Sequence, residues 1–334
     1  MKSRFDAIAF ARALINIDST TGQEAEAGQW LARELRGLGY TVVEQPVDRG
    51  RANIFATIDA PAVVLSTHYD CVPPFFPSRV EGGRLYGRGA CDAKGILAAQ
   101  VAAGERLRAR GERRVGLLFV VGEERGSDGA ALANTVAPGS RFLINGEPTD
   151  NRLGTATRGV LRLRLRAVGR AAHSAAPERG ESAIDKLIDA LVALRSITLP
   201  SDPAMGSTFY SVGLIEGGVA PNVISPHASA EVLFRTIGPA EDILRAIQPL
   251  DAFVTSEEIL RVPKVKLHTV PGFPTAVFPF TTDVPFLDRW GSPLLFGPGS
   301  FLVAHTSHEH LEISELDRAV EAYEQLAMDC LTRA

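Results

Sequence analysis

The stretch that decides the fold is Ala62-Val63-Val64-Leu65-Ser66-Thr67-His68-Tyr69-Asp70. It begins with four apolar residues and runs without a break into polar ones. Because such an apolar run has no polar face, it predicts a strand buried on both faces, as in a parallel sheet covered by helices. Residues 115–121 and 142–144 have the same character. An Ala-rich segment at about 95–110 predicts a helix between the first two runs, so the alternation indicates an α/β domain with a mostly parallel sheet.

The N-terminal part of the chain predicts two helices. Residues 7–38 show helical periodicity that is interrupted at 17–22. At the interruption, Thr21 is followed three residues later by Glu24, which is the spacing of a capping box. We therefore expect Thr21 to be the N-cap of the second helix.

The pattern changes after about residue 155. Residues 160–168 alternate apolar and basic side chains, which predicts a strand with one solvated face. The elements that follow predict the order βαββαβ, a ferredoxin-like four-stranded antiparallel sheet with two helices on one face. The first pattern then resumes with a buried strand at 293–296 and a closing helix at 314–332. The predicted fold is thus an α/β domain with a mostly parallel sheet, formed by residues 1–155 and 264–334, and an inserted α+β domain at 156–263.

Composition and length exclude several classes of protein. A chain of 334 residues exceeds the usual size of one hydrophobic core, so two domains are expected. The formal charge of −4 gives no reason to expect nucleic acid or an anionic membrane as a partner. We see no apolar run long enough for a membrane helix and no signal-peptide core. The three cysteines do not form a disulfide framework, so we expect a cytoplasmic protein.

Residue types that bind metals follow the predicted buried strands. The side chains beyond the carboxyl ends of parallel strands share one crevice, so residues distant in sequence should converge there. One further residue comes from the loop that leads into the Ala-rich helix, and another lies beyond the strand at 293–296. Two histidines and five carboxylates are collected in this way: His68, Asp70, Asp92, Glu123, Glu124, Glu147 and His305.

This combination favours a two-metal site. Neighbouring carboxylates do not all stay ionised unless cations neutralise them, and imidazole with carboxylate ligands suits zinc, with cobalt or manganese as alternatives. Two ions about 3.5–4 Å apart would polarise a carbonyl and activate a bridging water. Asp70 lies two residues after His68, so it can orient the imidazole. Glu123 and Glu124 point in different directions, which lets one bind metal while the other handles the proton.

Each of these residues also has an ordinary structural interpretation. A histidine at a strand end is usually a hydrogen-bonded structural residue. The pair Glu123-Glu124 could be a solvated turn, and Glu147 could cap a helix, since Pro148 follows it. These ordinary interpretations would have to hold at every strand end at once, and the metal site is therefore favoured.

The chain resembles the M20 metallopeptidase family, which includes acetylornithine deacetylase, succinyl-diaminopimelate desuccinylase, aminoacylase and a carboxypeptidase. Six motifs in the family order carry the resemblance and span nearly the whole chain: residues 66–73, 85–95, 122–124, 145–149, 169–174 and 296–306. The resemblance implies a metal-binding catalytic domain and a lid domain that also forms a homodimer. It implies two divalent ions, with zinc as the first candidate. It also implies five ligands: Asp92 binds both ions, His68 and Glu147 bind one, and Glu124 and His305 bind the other.

The resemblance also assigns roles to residues that bind no metal. It implies that Glu123 is the general base, which takes a proton from the bridging water, and that His173 stabilises the oxyanion in the partner subunit. It implies that Asn222, Arg235 and Gly299 bind the substrate, and a guanidinium fork suits a carboxylate. Without the motif, His173 could be an ordinary surface residue, and Arg235 could pair with a carboxylate on the solvated face of the sheet. His308 and His310 are interpreted as solvated residues, since the family pattern has no ligand there.

The expected function is the hydrolysis of an N-acyl amino acid, as in the acetylornithine deacetylase of arginine biosynthesis. Within the same chemistry, the alternative is an exopeptidase or dipeptidase that acts on short peptides. An alternative of another class is a non-catalytic binding protein that retains the fold, but Glu123 and all five ligands are present. An oxidoreductase is disfavoured because no Gly-x-Gly-x-x-Gly turn follows the first buried strand.

Overall fold

A computed structural model describes residues 5–203 and 205–333 of the chain, and these form two compact units. The first unit extends to Thr155 and also includes Lys266–Ala276 and the residues from Thr282 onward. The second consists of Ala156–Val265 and Val277–Thr281. The division differs from the predicted one at residues 264–265 and 277–281, which lie in the second unit. Backbone pairing explains the latter segment, since Arg158 N donates to Phe278 O at 3.1 Å.

Both units contain helices and strands, which are numbered in chain order. The α-helices are α1 (Ala7–Ile15), α2 (Ala25–Gly37), α3 (Lys94–Ala109), α4 (Asp128–Thr135), α5 (Ala183–Arg195), α6 (Ala240–Ile247) and α7 (Ile313–Thr332). The strands are β1 (Thr41–Asp48), β2 (Arg51–Thr57), β3 (Val63–His68), β4 (Arg79–Glu81), β5 (Arg84–Tyr86), β6 (Val115–Val120), β7 (Phe142–Asn145), β8 (Leu153–Thr157), β9 (Gly159–Val168), β10 (Ser201–Asp202), β11 (Gly206–Ser207), β12 (Phe209–Gly217), β13 (His227–Thr236), β14 (Thr255–Val262), β15 (Val265–Lys266), β16 (Thr275–Phe278), β17 (Ser292–Leu295) and β18 (His310–Glu312).

The main sheet of the first unit has six strands in the order β1-β2-β6-β3-β7-β17. Strand β3 pairs in parallel with β6 and β7, and β17 pairs in parallel with β7, which confirms the predicted mostly parallel sheet. An antiparallel hairpin of β1 and β2 extends the sheet beyond β6. The sequence did not predict this hairpin, because β1 contains polar residues and is mostly exposed.

Both faces of the central strand are buried. Every residue of β3 is buried, and successive side chains enter different cores. Val63 and Leu65 belong to the core formed with α1, α2, α3 and α7, whereas Val64 belongs to the core that contains Trp290 and part of α4. Most of α3 is buried as well, and its small side chains let it lie close to the sheet.

The second unit contains the antiparallel sheet β12-β13-β9-β14, with α5 and α6 packed in its core. The alternation along β9 explains how the sheet is covered. Leu161, Leu163 and Leu165 lie in the core with the helices, whereas Arg164 on the other face pairs with Glu231 at 2.7 Å. The predicted βαββαβ order is therefore confirmed.

The predicted helix cap at Thr21 is wrong. Helix α2 begins at Ala25, and its N-cap residue is Glu24. The Glu24 side chain turns back and accepts a hydrogen bond from Gly22 N at 2.6 Å. The Thr21 hydroxyl instead donates to Asp70 Oδ2 at 2.8 Å, so a tertiary contact replaces the local one.

The described residues also form three smaller sheets. They are β15-β8-β16, β18-β5-β4 and the pair β10-β11. In the second of these, His310 of β18 lies opposite Tyr86 of β5, which brings together two loops that are more than 200 residues apart in sequence. Among the described residues, no helix has the length and apolar content needed to cross a membrane.

The burial of β3 on both faces leads to a stability prediction. Val64→Ala is expected to lower the free energy of unfolding by about 2 kcal/mol, because two methyl groups leave a packed core. The same change at Val43, which is 51% exposed on β1, should cost less than about 0.5 kcal/mol. Both tryptophans, Trp30 and Trp290, belong to the first unit, so urea unfolding followed by tryptophan fluorescence measures that unit. Equal losses in the two variants would contradict the two-faced burial.

Candidate metal centre

Five of the predicted residues form two groups that share one carboxylate. One group is His68, Asp92 and Glu147, and the other is Asp92, Glu124 and His305. Within each group the candidate ligand atoms all lie within 4.8 Å of one another. These are the five residues that the sequence proposed as ligands, divided between two positions in the same way.

The parallel strands explain why these residues converge. His68 is the last residue of β3 and lies beside Val120, the last residue of β6. Glu124 follows β6 in a short 3₁₀ turn, and Glu147 lies two residues beyond the end of β7. The carboxyl ends of these strands meet at one edge of the sheet, so their side chains share a crevice.

Asp92 presents its two carboxylate oxygens to different histidines. Its Oδ1 lies 3.1 Å from His68 Nε2, and its Oδ2 lies 3.3 Å from His305 Nε2. His305 Nε2 is also 3.0 Å from Glu124 Oε1. A carboxylate placed between two sets of ligands has the arrangement of a bridging ligand, so these residues could hold two ions.

Asp70 contacts both His68 and the turn that carries Glu123 and Glu124. The Nδ1 of His68 lies 3.1 Å from the backbone oxygen of Asp70, which can only accept a hydrogen bond, so Nδ1 carries a proton and leaves Nε2 to face Asp92. The Asp70 carboxylate accepts hydrogen bonds from the backbone N–H groups of Glu123 and Glu124 at 3.1 and 3.2 Å. This one buried residue therefore orients the imidazole and the two glutamates.

The charges of the site are unbalanced without cations. Burial is the largest cause of the raised pKa of Glu123, and the neighbouring Glu147 raises it further. Burial likewise raises the pKa values of Glu124 and Glu147. For Asp92, burial opposes ionisation, but hydrogen bonds from His305 and His68 outweigh it and lower the pKa.

The residues present fit divalent ions. Hydrogen bonds with Asp92 and with Glu124 raise the pKa of His305 to about 10, and a divalent ion would be held by the same three groups. Glu147 Oε1 is buried and has no hydrogen-bond partner among the described residues, which suits an oxygen that binds a cation. Imidazole and carboxylate donors together suit zinc, cobalt or manganese.

Gly299 lies in the loop that leads to His305. Its φ is +80°, and a Cβ at this position would lie 2.6 Å from Cys91 Sγ. Glycine is therefore required for the close approach of this loop to the one that carries Asp92. His305 itself has a left-handed φ of 61°, an uncommon conformation for a residue other than glycine.

The remaining predicted residues lie in the second unit. His173 is exposed and pairs with Val223 in an isolated β-bridge, while Ser174 N donates to Asn222 O at 3.0 Å, so the structure brings His173 and Asn222 together. Arg235 lies on β13 opposite Phe209 of β12.

Three residues at the centre were not found from the sequence as members of the site. Thr21 contacts the Asp70 carboxylate through its hydroxyl. Asp283 is fully buried, and burial raises its pKa to about 7; it adds negative charge near Glu123 and Glu147. Glu309 accepts a hydrogen bond from Asp92 N at 3.1 Å. None of these lies at the end of a buried strand, which was the signal that located the ligands.

The two histidines beside Glu309 belong to neither group of candidate ligands. His310 Nδ1 lies 2.7 Å from the backbone oxygen of His308, and this contact occupies one ring nitrogen. His308 is exposed and His310 is half-buried.

Comparison with known proteins identifies the family. The sequence profile of Peptidase family M20/M25/M40 matches residues 64–329, and the chain therefore belongs to this family. A peptidase M20 domain-containing protein of Schizosaccharomyces pombe is 37% identical over 339 residues, which cover 96% of this chain and 84% of the relative. A probable carboxypeptidase of Aspergillus terreus is 38% identical over 371 residues, with 96% and 85% covered.

The fold has a solved counterpart in a tripeptidase from Staphylococcus aureus. The TM-score is 0.82 at 20% identity, and the match covers 97% of this chain and 98% of the tripeptidase. The family resemblance seen in the sequence is thus confirmed, and the protein is a metal-dependent hydrolase of amide or peptide bonds. The finer resemblance to acetylornithine deacetylase is not confirmed by these relatives.

The shared position of Asp92 predicts how metal content responds to mutation. Elemental analysis after dialysis should find up to two zinc or cobalt ions per chain, and Asp92→Asn should lose both, because both groups need its carboxylate. Glu123→Gln should keep them, since Glu123 belongs to neither group. Asp59→Asn, at an exposed pair with Arg113, is the control and should keep full occupancy. Full occupancy in Asp92→Asn would rule out the shared ligand.

Proposed function

We propose that the protein is a two-metal exopeptidase of the carboxypeptidase type, which removes the terminal residue of a short peptide. The observation that carries the proposal is the pair of ligand groups that share Asp92, with Glu123 held beside them. The relatives support a peptidase, since their names include a probable carboxypeptidase and a tripeptidase. They favour the exopeptidase alternative over the N-acyl amino acid deacetylase that the sequence suggested first.

In this proposal the five ligands hold two divalent ions, with zinc as the first candidate and cobalt or manganese as alternatives. Bound ions would polarise the scissile carbonyl and lower the pKa of the attacking water. The ligands are His68 and Glu147 for one ion, Glu124 and His305 for the other, and Asp92 for both.

Glu123 is the proposed general base. It takes a proton from the attacking water and returns it to the leaving amine nitrogen. Burial raises the pKa of Glu123 above the ordinary range of a carboxyl group, which suits a residue that must both accept and release a proton. The hydrogen bond from its backbone N–H to Asp70 Oδ1 fixes its position, as catalysis requires.

Recognition of the substrate is proposed to involve the second unit. Arg235 would bind the terminal carboxylate of the peptide, because a guanidinium group matches a carboxylate in charge and geometry. Asn222 and Gly299 would contact the peptide, and His173 would stabilise the oxyanion in a second copy of the chain. The adjacency of His173 and Asn222 supports a common role for them.

We also propose that the chain forms a homodimer through the second unit. Strand β12 is an edge strand, and almost all of its residues are exposed. An exposed apolar edge strand is a template for pairing with another chain. Large apolar side chains are exposed on β12, just beyond it, and on α5: Phe209, Leu214, Ile215, Val219, Ile188 and Val192.

A substrate panel tests the proposed specificity. Dipeptides and tripeptides with a free C-terminus should be hydrolysed faster than N-acetylornithine or N-succinyl-diaminopimelate. Amidation of the C-terminus should lower kcat/KM by about 10–100-fold, because the carboxylate loses its charged hydrogen bonds. Acetylation of the N-terminus is the matched control, and a carboxypeptidase should tolerate it. Faster hydrolysis of the N-acyl amino acids would contradict the proposal and indicate a deacetylase. Loss of activity when the N-terminus is acetylated would indicate an aminopeptidase.

Complementation tests the proposed role of His173 across a dimer. Glu123→Gln should lower the rate by about 10²–10⁴-fold, and His173→Ala should also be nearly inactive. Mixed subunits would form heterodimers with one intact site and one doubly defective site. If subunits exchange freely, half of the dimers are mixed and about a quarter of the sites recover. No recovery in verified heterodimers would show that His173 acts within its own chain or has no role in catalysis.

A further inference from the structure

The Glu309 carboxylate is fully buried and binds the loop that carries Asp92. Its Oε1 accepts hydrogen bonds from the backbone N–H groups of Gly89, Cys91 and Asp92, at 2.9, 3.0 and 3.1 Å. Its Oε2 accepts one from Arg88 Nη1 at 2.7 Å. Backbone N–H groups that converge in this way form an anion-binding nest, which is occupied by a carboxylate from the other end of the chain.

The loop of residues 87–92 has an unusual backbone, and several of its N–H groups need hydrogen-bond acceptors from outside the loop. Gly87 and Gly89 have φ values of +147° and +88°, and a Cβ at Gly89 would lie 2.7 Å from Cys71 Sγ. The loop residues Ala90 and Cys91 are fully buried, so their N–H groups are shielded from water. A buried N–H without an acceptor is destabilising, and Glu309 accepts hydrogen bonds from three N–H groups of this loop.

The ion pair with Arg88 does not by itself explain why the Glu309 carboxylate is buried here. Arg88 is also held by other contacts, since its Nε donates to Pro74 O at 3.1 Å and its guanidinium lies 5.1 Å from the centre of the Phe76 ring. Three of the four hydrogen bonds to the Glu309 carboxylate come from the backbone of the Asp92 loop. Burial raises the pKa of Glu309 to about 7, and N–H donors of this loop together with Arg88 oppose that rise.

Glu309 connects two candidate ligands of the same ion. It lies four residues after His305, and it receives a hydrogen bond from the backbone N–H of Asp92 itself. The pairing of β18 with β5 holds the bases of the two loops together. Glu309 therefore links the loop that carries Asp92 to the segment that carries His305, and Asp92 Oδ2 lies 3.3 Å from His305 Nε2.

We propose that Glu309 is a positioning residue that sets the carboxylate of Asp92 between His68 and His305, and thereby sets the affinity of the ion position formed by Asp92, Glu124 and His305. The inference rests on the proposed two-metal function. It adds a residue that binds no metal but determines where the shared ligand lies. Partners of metal ligands commonly contribute about 10–100-fold to metal affinity.

Two variants test the proposal on the full-length protein. Glu309→Gln keeps one oxygen for the N–H groups but places an amide NH₂ against Arg88, whereas Glu309→Asp keeps the charge on a side chain one methylene shorter. Zinc binding is measured by calorimetric titration in competition with a chelator, and the visible spectrum of the cobalt-loaded protein reports ligand geometry. We expect one of the two zinc positions to bind about 10–100-fold more weakly and the cobalt spectrum to change.

Glu324→Gln is the matched control. Glu324 is also a buried glutamate of the first unit, but its ion pairs are with Arg106 and Arg110 near the C-terminal end of α3. This variant loses a buried charge without touching the Asp92 loop. It should lower the melting temperature of the metal-free protein yet leave zinc affinity and the cobalt spectrum unchanged. A loss of affinity equal to that of the Glu309 variants would attribute the effect to general destabilisation and overturn the proposal.

The outcomes separate the proposal from the function on which it rests. If the unmodified protein binds neither zinc nor cobalt, the two-metal function itself fails. If that protein binds two ions and a folded Glu309 variant binds them with the same affinities and spectrum, only the role of Glu309 is overturned. If neither Glu309 variant folds while Glu324→Gln does, Glu309 is a residue of the fold and the positioning role is likewise overturned.

Discussion

The parallel pairing of β3 with β6 and β7 is the constraint on which the rest of the site depends. Because the three strands run in the same direction, their carboxyl ends meet at one edge of the sheet. His68 ends β3, the turn with Glu123 and Glu124 follows β6, and Glu147 follows β7. Both faces of β3 are packed with apolar side chains, so a shift in register would disrupt two cores at once. The hydrophobic cores thus fix the positions of the polar groups.

Convergence of the strand ends creates an electrostatic cost. Carboxylates that are buried side by side lose hydration and also repel one another, which is why the pKa values of Glu123, Glu124 and Glu147 are raised. Divalent ions bound by these residues would lower this cost, because they would neutralise the carboxylates. The raised pKa values thus indicate a site that favours cations, and Glu123, the proposed general base, lies beside the candidate ligands.

The division into two units separates the chemistry from its proposed specificity. All candidate ligands and the proposed base belong to the first unit. A terminal carboxylate or an acyl group would be distinguished by other residues, among which His173, Asn222 and Arg235 lie in the second unit. The candidate ligands therefore do not distinguish a peptidase from a deacylase. The names of the relatives say more about the substrate.

The sequence by itself predicted most of the elements and the candidate ligands, because strand patterns and motifs are local features. Apolar runs without a polar face predicted β3, β6 and β7, and alternation along β9 predicted a sheet with one solvated face. Ligand types directly after the strands, together with the family motifs, then predicted the two groups around Asp92. The β1–β2 hairpin was not predicted, because the polar residues of β1 give no clear strand pattern.

Only the tertiary structure decided which residues hold that site in place. Thr21 resembled a helix cap in the sequence, yet its hydroxyl binds Asp70, 49 residues away. Glu309 stands between two histidines in a loop, and its main partners are backbone N–H groups more than 200 residues distant. A backbone N–H leaves no trace in the side-chain pattern, so the sequence carries no local signal for such a contact. It exists only once the folded strands have brought the two loops together.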